Sequence, residues 1–70
     1  MPNESVGTRI ARARQRRGLT QVQLAEALNV SPSTVANWER GAAYPARYAG
    51  VVEEFLGITI PAREPEQAAS

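Results

Sequence analysis

The sequence predicts an all-α domain of four or five helices. Apolar residues recur at steps of three and four along most of the chain, which is the spacing of one helix face. Residues that favour helix starts precede each of these runs, and glycine or asparagine follows each run. The chain has 70 residues, which is enough for a single small domain with a modest core.

The first two helices are predicted from their ends as much as from their apolar faces. We predict helix 1 over residues 5–17, with Gly18 at its C′ position. Thr20 then opens helix 2, because a glutamine three residues later completes a T-x-x-Q capping box. Asn29 ends helix 2, since asparagine adopts positive φ more readily than most non-glycine residues. The apolar positions are Val6, Ile10 and Ala13 in helix 1 and Leu24, Ala25 and Leu28 in helix 2.

Helices 3 and 4 are predicted from the same kinds of start and end signals. Ser31 is the N-cap of helix 3, and Pro32 occupies its first turn, where a missing N–H costs nothing. We predict helix 3 over residues 32–40, closed by Gly41. Helix 4 is predicted to begin at Pro45 and to end at Gly57. These assignments give a domain over residues 1–60, and we expect residues 61–70 to be a disordered tail.

The composition argues against several classes of function. Because the chain has no cysteine and no histidine, we expect no disulfide, no zinc site of the usual ligands and no histidine base. We therefore expect a protein that is not an enzyme and that uses no cofactor or metal. No apolar run reaches the length of a membrane span and the N-terminus is polar, so a cytoplasmic location is expected.

The charges are distributed unevenly although the net charge is only +1. Residues 1–20 carry five arginines against one glutamate, whereas residues 53–66 carry four glutamates against one arginine. All eight cations are arginine, which suits bidentate contacts with phosphate or guanine. Codon usage in a GC-rich genome explains the same bias equally well.

Residues 29–31 join helices 2 and 3 by a turn too short to let them lie antiparallel, so the helices must cross at a large angle. One of these two helices then projects from the rest of the domain. In helix 3, Val35 and Trp38 share the inward face, and we expect Trp38 in the core rather than as a stacking surface. The outward face carries Ser33, Ala36, Asn37 and Arg40.

That outward face has the chemistry needed to read base edges in a DNA major groove. Asparagine can pair with adenine N6 and N7, serine can donate or accept, and arginine can bind guanine or phosphate. Alanine can contact a thymine methyl group. A merely solvated surface is the alternative interpretation, but the tight turn and the paired caps favour DNA recognition.

The segment "GLTQVQLAEALNVSPSTVANWERG" resembles the helix-turn-helix of the Cro/CI-type (XRE) DNA-binding family. The resemblance rests on Leu-Thr-Gln, Leu-Ala, a turn, Ser-x-Ser-Thr-Val and Trp-Glu-Arg-Gly in combination. It covers about residues 6–57 and implies a four- to five-helix bundle of the lambda-repressor-like type. Asn29 stands where the family prefers glycine, and Pro32 stands where a longer polar residue is common.

The resemblance also implies roles for individual residues. Gln21 would contact a phosphate with help from the helix N-terminus, and Thr34 would contact another. Glu39 would form a structural ion pair with Arg14, and the position of both residues one helical turn beyond inward-facing residues supports this pairing. Including candidates from helix spacing and position, the expected base contacts are Pro32, Ser33, Ala36, Asn37 and Arg40, and the expected phosphate contacts are Gln21, Ser31, Thr34, Arg16 and Arg17.

The function predicted from these observations is a sequence-specific regulator of transcription, in particular a repressor, that binds double-stranded DNA. We expect a homodimer on half-sites about 34 Å apart. A rival function is that of an antitoxin-like or adaptor module that engages a protein partner through residues 58–70, and a second is that of an excisionase-type factor of a phage or plasmid.

Some residues near the C-terminus are open to two interpretations. Ile58 and Ile60 are either a dimer contact or a C-terminal flap. Glu53 and Glu54 are interpreted as a solvated face, and Tyr44 and Arg47 either meet the DNA backbone or cover the core.

Overall fold

A computed structural model describes residues 5–60, which form four α-helices in an all-α fold, as predicted. The helices are α1 (Val6–Arg16), α2 (Gln21–Leu28), α3 (Pro32–Glu39) and α4 (Ala49–Leu56). The predicted tail, residues 61–70, lies outside the described residues.

Helices α2 and α3 begin at their predicted capping residues, Thr20 and Ser31, and Ser5, predicted as the first residue of helix 1, is the N-cap of α1. Thr20 Oγ1 accepts a hydrogen bond from the Gln23 N–H at 3.0 Å, and Gln23 Oε1 accepts one from the Thr20 N–H at 2.8 Å. This is the complete capping box expected from the sequence. The side-chain oxygens of Ser5 and Ser31 likewise accept hydrogen bonds from the backbone N–H three residues later and so cap α1 and α3. Each cap satisfies an N–H that the helix itself leaves without a partner.

Asn29 makes the turn between α2 and α3. Its φ of 61° and ψ of 44° lie in the left-handed region, as predicted. The Val30 N–H then donates to the Ala25 carbonyl oxygen at 2.9 Å, which closes the end of α2. Val30 packs against the core, and Ser31 starts α3 at once. The positive φ angle of this single residue thus sets the direction of α3 relative to α2.

Replacing Asn29 with glycine is expected to change the free energy of unfolding by less than about 1 kcal/mol, with stabilisation the favoured sign. Glycine adopts this conformation without strain, although it also gives the unfolded chain more freedom. Valine at the same position is the matched control, because a β-branched residue is strained at positive φ. Thermal unfolding monitored by circular dichroism measures both variants, and a large drop in melting temperature for the glycine variant would contradict the role given to Asn29.

The prediction for the start of α4 is wrong by four residues. Pro45 is fully buried and forms part of a turn in which the Tyr48 N–H donates to the Pro45 carbonyl oxygen at 3.2 Å. The helix begins only at Ala49, without a side-chain cap. Pro45 therefore serves to anchor the loop after α3 in the core, and a local helix-start signal cannot reveal that tertiary role. The end of α3 differs from the prediction by one residue, since Arg40 is the C-cap.

The core draws on all four helices and on the segment after α4. Trp38 is 3% exposed, as predicted for a core residue, and its ring lies 5.7 Å from that of Tyr48 between centroids. Ile60 is also buried, at 6% exposure, and its N–H donates to Glu53 Oε2 at 2.6 Å. The flap interpretation of Ile60 is thus confirmed, and Glu53 has a structural role where only a solvated face was predicted. The buried apolar side chains are Ile10, Ala13, Leu24, Ala25, Leu28, Val35, Trp38, Val52, Leu56 and Ile60.

Gly7 allows α1 and α3 to approach each other closely. A Cβ atom at this position would lie 2.4 Å from the Glu39 carbonyl oxygen and 2.5 Å from that of Trp38. Both distances are below van der Waals contact, and both neighbours are backbone atoms. Only glycine therefore fits here, and this contact holds the C-terminal end of α3 against α1.

Candidate nucleic-acid interface

The two faces of α3 separate as the sequence predicts. Val35 is 0% exposed and lies beside Trp38 in the core. Ser33 is exposed and Asn37 is half-buried, so neither lies beneath another part of the described chain. The other expected base contacts share this accessibility, with Pro32 and Arg40 exposed and Ala36 half-buried. The candidate contacts thus form one accessible surface, here called the reading face (Pro32, Ser33, Ala36, Asn37 and Arg40).

Hydrogen bonds already order part of the reading face and its edge. At the C-terminal end, Arg40 Nη2 donates to Asn37 Oδ1 at 2.8 Å. At the N-terminal end, the Ser31 hydroxyl lies 3.1 Å from that of Ser33 and 2.9 Å from that of Thr34. Ser31 is exposed and Thr34 is half-buried, so this group of hydroxyls can donate to an oxygen atom outside the protein.

Behind the reading face, Arg14 and Glu39 form the predicted ion pair. Arg14 Nε donates to Glu39 Oε2 at 2.7 Å and Arg14 Nη2 donates to Glu39 Oε1 at 3.1 Å. The side chains are 13% and 8% exposed, respectively. Arg14 Nη1 also donates to the Leu19 carbonyl oxygen at 2.8 Å. The guanidinium therefore joins α1 to the end of α3 and to the loop before α2, in the bidentate geometry that only arginine provides.

Gln21 belongs to the same network, which sequence reasoning did not foresee. Its Nε2 atom donates to Glu39 Oε1 at 3.0 Å. Gln21 is the first residue of α2 and is half-buried. Because the amide nitrogen has two hydrogens, this bond leaves one N–H for another acceptor. Gln21 and Glu39 lie on different helices, so no spacing within the sequence indicates their contact.

The two arginines expected to contact phosphate differ in their surroundings. Arg16 is exposed near the end of α1. Arg17 is also exposed, but its guanidinium carbon lies 5.6 Å from the centroid of the Phe55 ring, a cation–π distance. Arg17 thus has a partner in α4, and its phosphate contact remains a prediction.

The hydrogen bond between Arg40 and Asn37 was not predicted either. It joins residues three apart on one helix face, and that spacing is a signal from which the sequence could have indicated it.

Comparison with known proteins identifies the architecture. The family described as "Helix-turn-helix" matches residues 10–62, which include α2, the Asn29 turn and α3. The chain belongs to this helix-turn-helix family. The match confirms the Cro/CI-type resemblance seen in the sequence, and the family indicates a DNA-binding regulator.

Curated relatives of this helix-turn-helix protein are longer than it is. It is 37% identical over 60 residues to "Endothelial differentiation-related factor 1" of Rattus norvegicus and to that of Mus musculus. The human protein of the same name is 35% identical over 60 residues. These alignments cover 84% of this chain but 40% of each relative. No solved structure matches the chain.

Within residues 5–60, no helix has the length and apolar character needed to cross a membrane. The same stretch contains no group of three or more acidic, histidine or cysteine side chains arranged to hold a metal ion.

Proposed function

We propose that this chain binds duplex DNA sequence-specifically, with α3 in the major groove, and thereby regulates transcription. The observation that carries the proposal is the division of α3 into a buried apolar face and an accessible polar reading face. A helix fits the major groove, where each base pair presents a distinct set of donors, acceptors and methyl groups. Membership in the helix-turn-helix family supports the same function.

Each part of the reading face has a proposed contact. Asn37 and Arg40 lie at the C-terminal end of α3 and Ser33 near its start, and all three offer polar atoms to base edges. Pro32 and Ala36 present only apolar side-chain atoms, which suits contact with a thymine methyl group. Base recognition would thus combine hydrogen bonds with apolar contacts along a single helix.

Phosphate contacts are proposed along the edge of the reading face and at the start of α2. Gln21 has one side-chain N–H left after its bond to Glu39, and it lies at a helix N-terminus, where free backbone N–H groups attract anions. The negative charge of Glu39 does not oppose this, because Arg14 neutralises it at 2.7 Å. Ser31, Thr34 and Arg16 are the further phosphate contacts proposed, together with Arg17 if its guanidinium leaves Phe55.

The proposed binding unit is a symmetric homodimer on DNA. One reading face of five residues contacts only a few base pairs, which gives one module too little specificity by itself. Two copies on half-sites about 34 Å apart would present both copies of α3 to the same side of the duplex. The regulatory output proposed is repression, because a protein bound in the groove of a promoter blocks access to it.

Selection of bound duplexes from a random pool, using the full chain, tests the function. A palindromic consensus with half-sites one helical turn apart is the expected result. The affinity for that site should fall steeply as salt concentration rises, because phosphate contacts release counterions. Recovery of sequences without any consensus would contradict the proposal.

Two alanine variants separate base reading from phosphate binding. Asn37→Ala should lose about 1 to 3 kcal/mol of binding free energy on the selected site and little on random DNA. Gln21→Ala should weaken binding to both kinds of DNA alike, since a phosphate contact carries no sequence information. Fluorescence anisotropy at fixed salt measures both variants. Equal losses on selected and random DNA for Asn37→Ala would remove this residue from the reading face.

A further inference from the structure

The bond between Arg40 and Asn37 fixes which atoms the reading face offers to DNA. Arg40 Nη2 lies 2.8 Å from Asn37 Oδ1, and the residues are three apart in sequence, with Asn37 in the last turn of α3 and Arg40 as its C-cap. A guanidinium can only donate hydrogen bonds, so it must face the carbonyl oxygen of the amide and not its nitrogen. The Asn37 amide is thereby oriented with Oδ1 toward Arg40 and Nδ2 away from it.

This orientation changes the base that Asn37 is suited to read. To pair with adenine, asparagine must accept from N6 through its oxygen and donate to N7 through its nitrogen. In this structure the oxygen already accepts a charge-assisted hydrogen bond, which is stronger than a neutral one. The nitrogen of Asn37 and the remaining N–H groups of Arg40 are all donors. The pair therefore presents several donors and a single remaining acceptor site, the second lone pair of Asn37 Oδ1, which lies beside the positive charge of Arg40.

We propose that Asn37 and Arg40 act as one reading unit that selects guanine over adenine, and this inference rests on the DNA-binding function proposed above. Guanine presents two acceptors in the major groove, N7 and O6, whereas adenine presents one acceptor and one donor. Several donors satisfy both guanine atoms, whereas the N6 donor of adenine must share Asn37 Oδ1 with the positively charged guanidinium of Arg40. Arg40 thus determines specificity partly through Asn37, as a positioning residue, as well as by its own N–H groups.

The test compares base preference in the full-length wild-type protein and three variants. Duplexes are first selected by each protein, and the affinities for guanine and adenine at single positions are then measured at fixed salt. Asn37→Ala identifies the position that the unit reads. Arg40→Met removes the guanidinium but keeps an unbranched side chain. Arg47→Met is a matched control for base preference, because Arg47 is an exposed arginine outside α3 and any contact that it makes with the DNA backbone would change the affinity for guanine and adenine sites alike. Circular dichroism establishes that each variant is folded.

The wild-type protein is expected to prefer guanine over adenine at this position by roughly 5- to 150-fold, the range of one good bidentate contact. Arg40→Met should abolish or reverse that preference, because it frees Asn37 Oδ1 to accept from adenine N6. Arg47→Met should leave the guanine-to-adenine ratio unchanged.

Four results would overturn the inference. Adenine preference in the wild-type protein would overturn it while leaving the DNA-binding function intact. An unchanged ratio in Arg40→Met, or effects of Asn37→Ala and Arg40→Met at different positions, would show that the two residues do not read as a unit. Selection of no sequence by the wild-type protein would overturn the proposed function and this inference together.

Discussion

Replacing Gly7 with alanine is expected to destabilise the fold by about 2 kcal/mol or more. Overpacking a close contact typically costs about 1 to 3 kcal/mol, and here the new methyl group meets two backbone oxygens that cannot rotate away. Alanine gains at most about 1 kcal/mol in helix propensity over glycine, which the clash exceeds. Because a domain of this size has a total stability of only about 4 to 10 kcal/mol, the loss is a large fraction of it.

Thermal unfolding measures this effect, and the melting temperature should fall by about 8 to 16 °C. Gly50 is the matched control, because it also lies in a helix, α4, but a Cβ atom there would meet nothing within 4 Å. Gly50→Ala should therefore raise the melting temperature slightly, through helix propensity alone. Stabilisation by both substitutions would mean that α1 and α3 are not in close contact at Gly7.

Replacing Glu39 with alanine is expected to cost about 3 kcal/mol, the lower end of the range for breaking a buried ion pair, because the side chains of Arg14 and Glu39 are part-buried, at 13% and 8% exposure. Arg14 would keep its bond to the Leu19 carbonyl oxygen but lose both bonds to the carboxylate. Gln21 would also lose its acceptor. Urea denaturation of the purified protein gives the free energy of unfolding, when the same dependence of that free energy on urea concentration is used for all variants.

Two further variants make this expectation specific. Glu54→Ala removes the charge of an exposed glutamate in α4 and should change stability by less than about 0.5 kcal/mol. The double substitution Arg14→Met with Glu39→Leu should recover much of the loss, because apolar side chains of similar volume need no charged partner. A Glu39→Ala variant as stable as Glu54→Ala would show that the ion pair does not hold the helices together.

Sequence reasoning was most successful where the interactions are local. The capping box of Thr20 and Gln23 and the left-handed Asn29 are determined by residues within one or two helical turns, and both were predicted. The inward position of Val35 and Trp38 follows from helix periodicity. These features together define the helix-turn-helix, so the family and the accessible face of α3 are recognisable from the sequence, and the base-reading role of that face stays a prediction.

Features that depend on contacts between distant parts of the chain were harder to predict. Pro45 has a typical helix-start position, but its ring is buried in the core and α4 begins later. Gly7 is an ordinary residue of α1 until the backbone of α3 is placed beside it. The bond from Gln21 to Glu39 joins residues 18 apart through the fold. For the candidate site, the residue types were predictable, whereas their hydrogen-bond partners required coordinates.

The separation of roles within α3 has a consequence for redesign. Val35, Trp38 and Glu39 make the contacts that hold this helix in place, and none of them belongs to the reading face. A combinatorial library that randomises only the five codons of the reading face therefore leaves the contacts of Val35, Trp38 and Glu39 with the rest of the domain in place. Base preference can then be varied while the buried contacts of α3 are kept, which makes this small domain a practical starting point for evolving altered binding specificities.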